Sequence, residues 1–248
     1  MTEDDVEIPR GIALAWGIPS APDRRQKSDL SVERIISIAL EIADESGLAA
    51  VSMAAVAGRL GYTPMSLYRY VAAKDDLVLL MGDAAFGQPP AEIADAGEWR
   101  QAVQLWVDAV LSLYERHPWL LDLASGGLPL TPNALAWMEA IMSAFATTDL
   151  TIEDTVKSAM MIVGQTRWEA IMIRSQSRIP EAHADGPGYP AGQARVLSTL
   201  VDGKAFPSMS RLLKAPEFFG EKRSSAFGLE RAIDGLALYI DNQPPLTH

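Results

Sequence analysis

An all-α chain is predicted for these 248 residues, on three observations. Apolar residues in the longer segments recur at spacings of three and four, as in Val32, Ile35, Ile36, Ala39, Ile42 and Ala43. The breaks between such segments carry helix punctuation: Ser or Thr before the start, Pro at the first position, Gly after the end. No segment shows the strict apolar–polar alternation of a half-buried strand, and no internal repeat is present.

The elements follow in order. Residues 1–27 contain Pro9, Pro19 and Pro22, which break any long helix, so a partly flexible extension is expected. Its end is basic, and Arg24, Arg25 and Lys27 suit an arm that reaches phosphates or a minor groove. Ser31 is the N-cap of a helix that Gly47 ends. Ser52 caps the shorter "MAAVAGRL", which stops at Gly61. Thr63 is the expected cap of a third, very short helix with Pro64 at its first position, where the missing N–H costs nothing. "KDDLVLLMGDAAF" is a fourth helix, with Asp75 and Asp76 in the turn where carboxylates suit the dipole.

"GQPPAEIADAG", with Gly87, Pro89, Pro90 and Gly97, is the expected domain boundary. It separates a unit of short helices, 28–88, from a unit of longer ones, 97–248. The second unit opens on a stripe of Val103, Trp106, Val107, Val110, Leu113 and Tyr114. Pro118 restarts the chain, and Thr131-Pro132 repeats the cap-and-proline start before "NALAWMEAIMSAF". Thr151 with Asp154 opens a long helix from Ile152 to about Arg178. Residues 180–192 hold three prolines and three glycines, and a mobile loop is expected there. Helices around Pro207–Leu213 and Lys222–Ile240 complete the chain.

Composition bounds the function. There is no cysteine, which excludes disulfides, thiolate metal sites and cysteine nucleophiles and points to a reducing compartment. The acidic start "MTEDDVEIPR" does not resemble a secretory signal, and no apolar run approaches the roughly 20 residues that span a bilayer. A cytoplasmic protein with no membrane partner is expected. The net charge of −11 opposes nucleic-acid binding at long range. Charge is local, however. Between Arg24 and Lys74 seven basic residues face five acids, and four of those acids share one helix. Catalysis finds no support: no G-x-S-x-G, phosphate loop or H-E-x-x-H occurs. Three histidines, His117, His183 and His248, lack a carboxylate at metal spacing, so neither a metal nor a cofactor is expected.

The stretch "LGYTPMSLYRYVAAKDDLVLLM", residues 60–81, carries the chemistry. Two short helices joined through Gly61 make a helix-turn-helix. The second offers Ser66, Arg69 and Tyr70 rather than Glu–Lys pairs, and hydroxyls with a guanidinium suit phosphate and base contacts. Lys74 adds charge beside the free N–H groups of the next helix. The run from Leu30 to Met81 resembles the DNA-binding domain of the tetracycline-repressor-like (TetR) family of bacterial regulators. Leu60, Gly61, Leu67, Tyr68, Tyr70, Lys74 and Leu77 fall on that family's most recognisable motif. The motif covers residues 28 to about 85. Beyond them the likeness lies in helix layout and length.

The resemblance implies an all-α homodimer: an N-terminal three-helix helix-turn-helix domain for operator DNA, a connecting helix, and a larger C-terminal helical domain for effector binding and dimerisation. Carried over, Thr63, Ser66, Tyr68, Tyr70 and Lys74 are the expected DNA contacts. Tyr70 and Lys74 are assigned to phosphates, and Thr63, Met65, Ser66 and Arg69 to base edges. Two departures stand out. Met53-Ala54-Ala55 replaces the polar start of the family's second helix, and Ala73 replaces the cap before Lys74, at a cost of about 1 kcal/mol.

In the second unit, Trp106, Trp137, Met138, Met142, Met160, Met161, Gln165, Trp168 and Met172 form the expected pocket for a hydrophobic or aromatic effector, since Met adapts its shape and aromatics offer flat contacts. Asn133, His117, Arg167 and Glu169 are further polar candidates. Val156, Met160 and Val163 on the long helix and Leu229, Ile233, Leu236 and Ile240 on the last are the expected dimer stripes. A repressor released by its effector is the expected function. An activator or dual regulator of the same fold, or an all-α small-molecule-binding protein or enzyme with an incidental helix-turn-helix, stands as the alternative.

Overall fold

The computed structural model describes residues 7–18, 29–123, 128–177, 190–215 and 226–244. Among them there is no strand. The helices are α1 (Arg10–Ala15), α2 (Val32–Ser46), α3 (Met53–Leu60), α4 (Pro64–Tyr68), α5 (Lys74–Phe86), α6 (Trp99–Arg116), α7 (Pro132–Ser143), α8 (Ile152–Ser177), α9 (Pro190–Leu200), α10 (Pro207–Leu213) and α11 (Ala226–Asp241). No described helix is long and apolar enough to cross a membrane.

The first core gathers Ile35, Ala39, Val51, Val56, Leu67, Val71, Leu77 and Met81, all fully buried. It is closed by Leu113, Trp119 and Leu120, which lie beyond the 87–97 boundary. The break in composition is therefore not a break in packing. A polar link reinforces it: Asp44 on α2 accepts a hydrogen bond from the Trp119 indole at 2.7 Å and pairs with His117 Nδ1 at 2.8 Å. His117 thus serves the junction, not the effector pocket.

Part of the expected flexible extension is ordered. α1 packs on α5, with Gly11 buried against Asp76 so closely that any Cβ would overlap its carboxylate. Arg10 donates to the Arg69 carbonyl at 3.3 Å, and the Trp16 indole to the Leu130 carbonyl at 2.8 Å. Pro9 and the residues after Ala15 frame this short helix rather than prevent it; docking supplies the stability that six residues lack alone. Arg25 and Lys27 lie outside the described residues.

Ser31 and Ser52 cap as expected, accepting from Arg34 N at 3.2 Å and Ala55 N at 3.1 Å. Thr63 and Thr131 do not: neither side chain bonds a backbone amide of its helix. The second core packs α6, α7, α8 and α11 around Val103, Val107, Ile141, Phe145 and Ile162. It also takes in Leu229, Ile233 and Leu236. The stripe expected at a dimer interface is thus inside the protomer, with Ile240 and Val163 packed half-buried against it. In the segment expected as a loop, α9 already starts at Pro190, a residue suited to a helix's first turn. Residues 178–189 lie outside the described residues, as do 222–225, where the last helix was expected to begin.

Candidate nucleic-acid interface and effector cavity

α3 ends in a Schellman turn. Gly61 is left-handed at φ +77°, Tyr62 N bonds Ala57 O at 2.9 Å and Gly61 N bonds Gly58 O at 3.3 Å. Only glycine adopts that angle without strain, and the turn throws the chain outward into α4. α4 has five residues and buries one side chain, Leu67. The rest of it faces solvent. Met65 is 74% exposed and Tyr68 44%; Thr63 and Arg69 are exposed, and Ser66 is half-buried. Thr63 Oγ1 and Ser66 Oγ lie 3.0 Å apart, so the two hydroxyls orient one another at the helix start. Tyr70 packs its ring against the first core.

Lys74 is exposed at the start of α5, where Ala73 makes no side-chain cap. Lys74 thus adds a cation beside the free amides of that turn, where an anion is favoured. On α3, Met53 is buried and Ala54 is exposed, so this helix presents no polar group at its start. Arg59 is engaged by Glu45, through Nη1–Oε1 at 3.0 Å and Nη2–Oε2 at 2.5 Å. The Glu45 carboxyl is held below its ordinary value by that bond. The described members of the expected interface run from Thr63 to Lys74 across α4 and the start of α5, with Ser66 and Tyr70 half-buried among exposed neighbours. Arg10 lies beside them, bonded to the Arg69 carbonyl at the C-terminal end of α4, a place that follows from docking of α1.

Behind the connecting helix lies a cavity of about 420 Å³, within the range of small-molecule sites, about 300–1,000 Å³. Of the expected pocket residues it is lined by Trp106, Trp137, Met138 and Met160. Phe86, Val110, Tyr114, Leu120, Leu123, Leu128, Pro129, Ala134, Val163, Gly164 and Arg167 complete it. Met142 packs in the second core one turn further along α7. Met161, Gln165, Trp168 and Met172 do not line the cavity. At 100° per residue they centre on a flank of α8 about 120° round from Met160, Val163, Gly164 and Arg167. Trp168 is 56% exposed, and Gln165 lies against Gly228 of α11. Glu169 is buried on α8 with one carboxylate oxygen lacking a hydrogen-bond partner among the described residues, and it lines neither this cavity nor the two beside it.

The cavity wall is fastened to α5. Asp83 Oδ1 accepts from Asn133 N at 2.9 Å and Ala134 N at 3.1 Å. It is the N-terminal cap of α7, supplied by another helix in place of Thr131. Asn133 Nδ2 returns a bond to the Asp83 carbonyl at 3.0 Å, and the Trp137 indole donates to the Phe86 and Gly87 carbonyls at 3.1 and 3.0 Å. A buried acid among the apolar positions of α5 was the one signal in sequence for this clamp.

Comparison with known proteins accords with this arrangement. The model of the family "Bacterial regulatory proteins, tetR family" matches residues 35–81, and that of "Tetracyclin repressor-like, C-terminal domain" matches residues 91–240. The chain is 32% identical to the HTH-type transcriptional repressor DrrR1 of Streptomyces coeruleorubidus, over 96% of this chain and 89% of that one. It is 34% identical to an HTH-type transcriptional regulator of Saccharopolyspora erythraea, over 49% of this chain and 52% of that one. The crystal structure of the Streptomyces coelicolor TetR family protein ActR in complex with actinorhodin is similar at a TM-score of 0.71 and 25% identity, covering 87% of this chain and 99% of ActR. The chain belongs to the TetR family of bacterial regulatory proteins and is a DNA-binding transcriptional regulator.

Proposed function

We propose that the chain is a repressor that holds its operator as a homodimer and releases it when a flat, hydrophobic or aromatic effector fills the cavity behind α5. The observation that carries this reading is the fastening of the cavity wall to the connecting helix. Phe86 lines the cavity and Asp83 caps the helix that carries Trp137 and Met138. A ligand that shifts α7 therefore moves α5, and with it α4. Effector binding favours the dimer whose two reading helices no longer sit about 34 Å apart, the spacing of successive major grooves. Its relatives support the reading: DrrR1 is named a repressor, and ActR has been solved with actinorhodin.

Thr63, Met65, Ser66 and Arg69 are proposed to meet base edges. Tyr70 and Lys74 are proposed to hold phosphates, and Tyr68 meets either or packs. No catalytic role is proposed for any residue. The test is a band shift with the DNA flanking the chain's own gene, repeated with polycyclic aromatic compounds. Specific retardation at low salt, relieved by one of those compounds, is expected. Absence of specific binding contradicts the proposal.

A further inference from the structure

The polar groups of the cavity are unevenly committed. The Trp106 indole donates to the Trp137 carbonyl at 2.9 Å, and the Trp137 indole is held by Phe86 and Gly87. Both indole donors are spent. Arg167 enters from α8, and its Nη2 donates to the carbonyls of Leu121 and Leu123 at 2.8 and 2.9 Å. Those two bonds fix the guanidinium in place but bring no negative charge. Arg167 is the one charged residue among the cavity's described lining, and it pairs with no carboxylate among the described residues. Its remaining N–H groups have no partner among the described residues. Tyr114, from α6, lines the same cavity, and its hydroxyl has no hydrogen-bond partner among the described residues.

The cavity therefore offers flat apolar walls, an uncompensated cation and a tyrosine, with no side-chain carboxylate among its described lining. A half-buried guanidinium in apolar surroundings gains most from an anionic oxygen acceptor, which it can bind through two parallel N–H groups. A cationic ligand meets like charge at the same spot. The opposite preference lies next door: across Tyr114 a second cavity, of about 430 Å³, is lined by Asp108 and Glu115, while its Arg174 is already paired with Asp122 at 2.8 Å. The two chambers differ in sign.

We propose that the chamber behind α5 is a site for an aromatic anion, a flat ring system bearing a carboxylate or ionised phenol. The rings lie between Trp106, Trp137 and Phe86, and the anionic oxygens meet Arg167 with the Tyr114 hydroxyl as second donor. This deepens the effector reading above and rests on it. Because Trp106 and Trp137 line the chamber, intrinsic tryptophan fluorescence reports its occupation directly.

The test uses the full chain near pH 7 and two probes of matched shape, anthraquinone-2-carboxylate and anthraquinone-2-carboxamide. The carboxylate is expected to bind about tenfold tighter or more, as one charge-assisted paired hydrogen bond provides. Arg167→Gln is expected to bring the ratio close to one, and Arg167→Lys to keep part of it. Since Arg167 also holds the 121–123 turn, the wild-type ratio stands as an independent readout should the Gln variant fold poorly. Equal or tighter binding of the carboxamide to the wild type overturns the proposal, as does a preference that survives Arg167→Gln. Operator binding is measured on the same samples. A chain that binds operator but neither probe sinks the anion site and leaves the regulator standing; one that binds the carboxylate but no operator sinks the regulatory reading instead.

Discussion

At the scale of single residues, α4 separates what holds the helix from what it presents. Leu67 is fully buried in the first core, so Leu67→Ala is expected to cost about 2–5 kcal/mol of stability in urea denaturation and to abolish operator binding only through unfolding. Arg69→Ala removes an exposed guanidinium and is expected to leave stability unchanged. It should weaken the specific operator by about 1–3 kcal/mol while sparing non-specific DNA, as seen by fluorescence anisotropy. Lys74→Ala is expected to weaken all DNA alike and to lower the salt slope by about one. The burial of Leu67 and the exposure of Arg69 were legible in the sequence because a helix this short has room for one apolar anchor, and Leu67 is the leucine of the motif. The pocket was less legible for the same geometric reason in reverse. Composition collected the Met and Trp residues of α8 as one group, but Met160 and Trp168 lie on different faces, and only helical phase against a known neighbour tells them apart.

Among the elements, α7 depends on a cap from elsewhere. Asp83→Ala removes the acceptor from Asn133 N and Ala134 N and is expected to cost up to about 2 kcal/mol. Hydrogen exchange should then speed up at those two amides, and operator release should decouple from cavity occupation. Unchanged protection at Asn133 and Ala134 contradicts the clamp. Local rules put Thr131 at this cap, since it is the residue of the right type before Pro132. They see only the chain neighbours and not α5 lying alongside. α1 escaped for a related reason: its prolines argue against a long helix, and docking of a short one on α5 leaves no periodic trace. Ser31 and Ser52 were read correctly because their bonds are made within three residues.

Over the whole molecule, operator binding needs a dimer, and the large hydrophobic side chains left exposed on α8 and α11 include Val156, Met160, Met161, Trp168, Leu238 and Tyr239, while the Leu229–Ile233–Leu236 row is buried. Trp168→Glu is expected to shift the chain to monomer in sedimentation and to lose operator binding with its fold intact. The bundle is also tied by charge. The Asp234 carboxyl of α11 is held below its ordinary value of 3.8 by hydrogen bonds from Arg100 of α6 and then Arg231. A lowered folded value means this pairing contributes fully above that ordinary value and is lost as pH falls through the lowered one. Thermal stability should therefore decline at the acid end, less steeply in Asp234→Asn, and high salt should mute the difference. The most direct measurement is an anisotropy titration of the intact chain on the DNA flanking its own gene, beside a Ser66→Ala/Arg69→Ala variant of unchanged helicity. Tight binding by one dimer to a two-fold symmetric site, lost in the variant, is the result this structure predicts; equal binding by both proteins, or none by either, contradicts it.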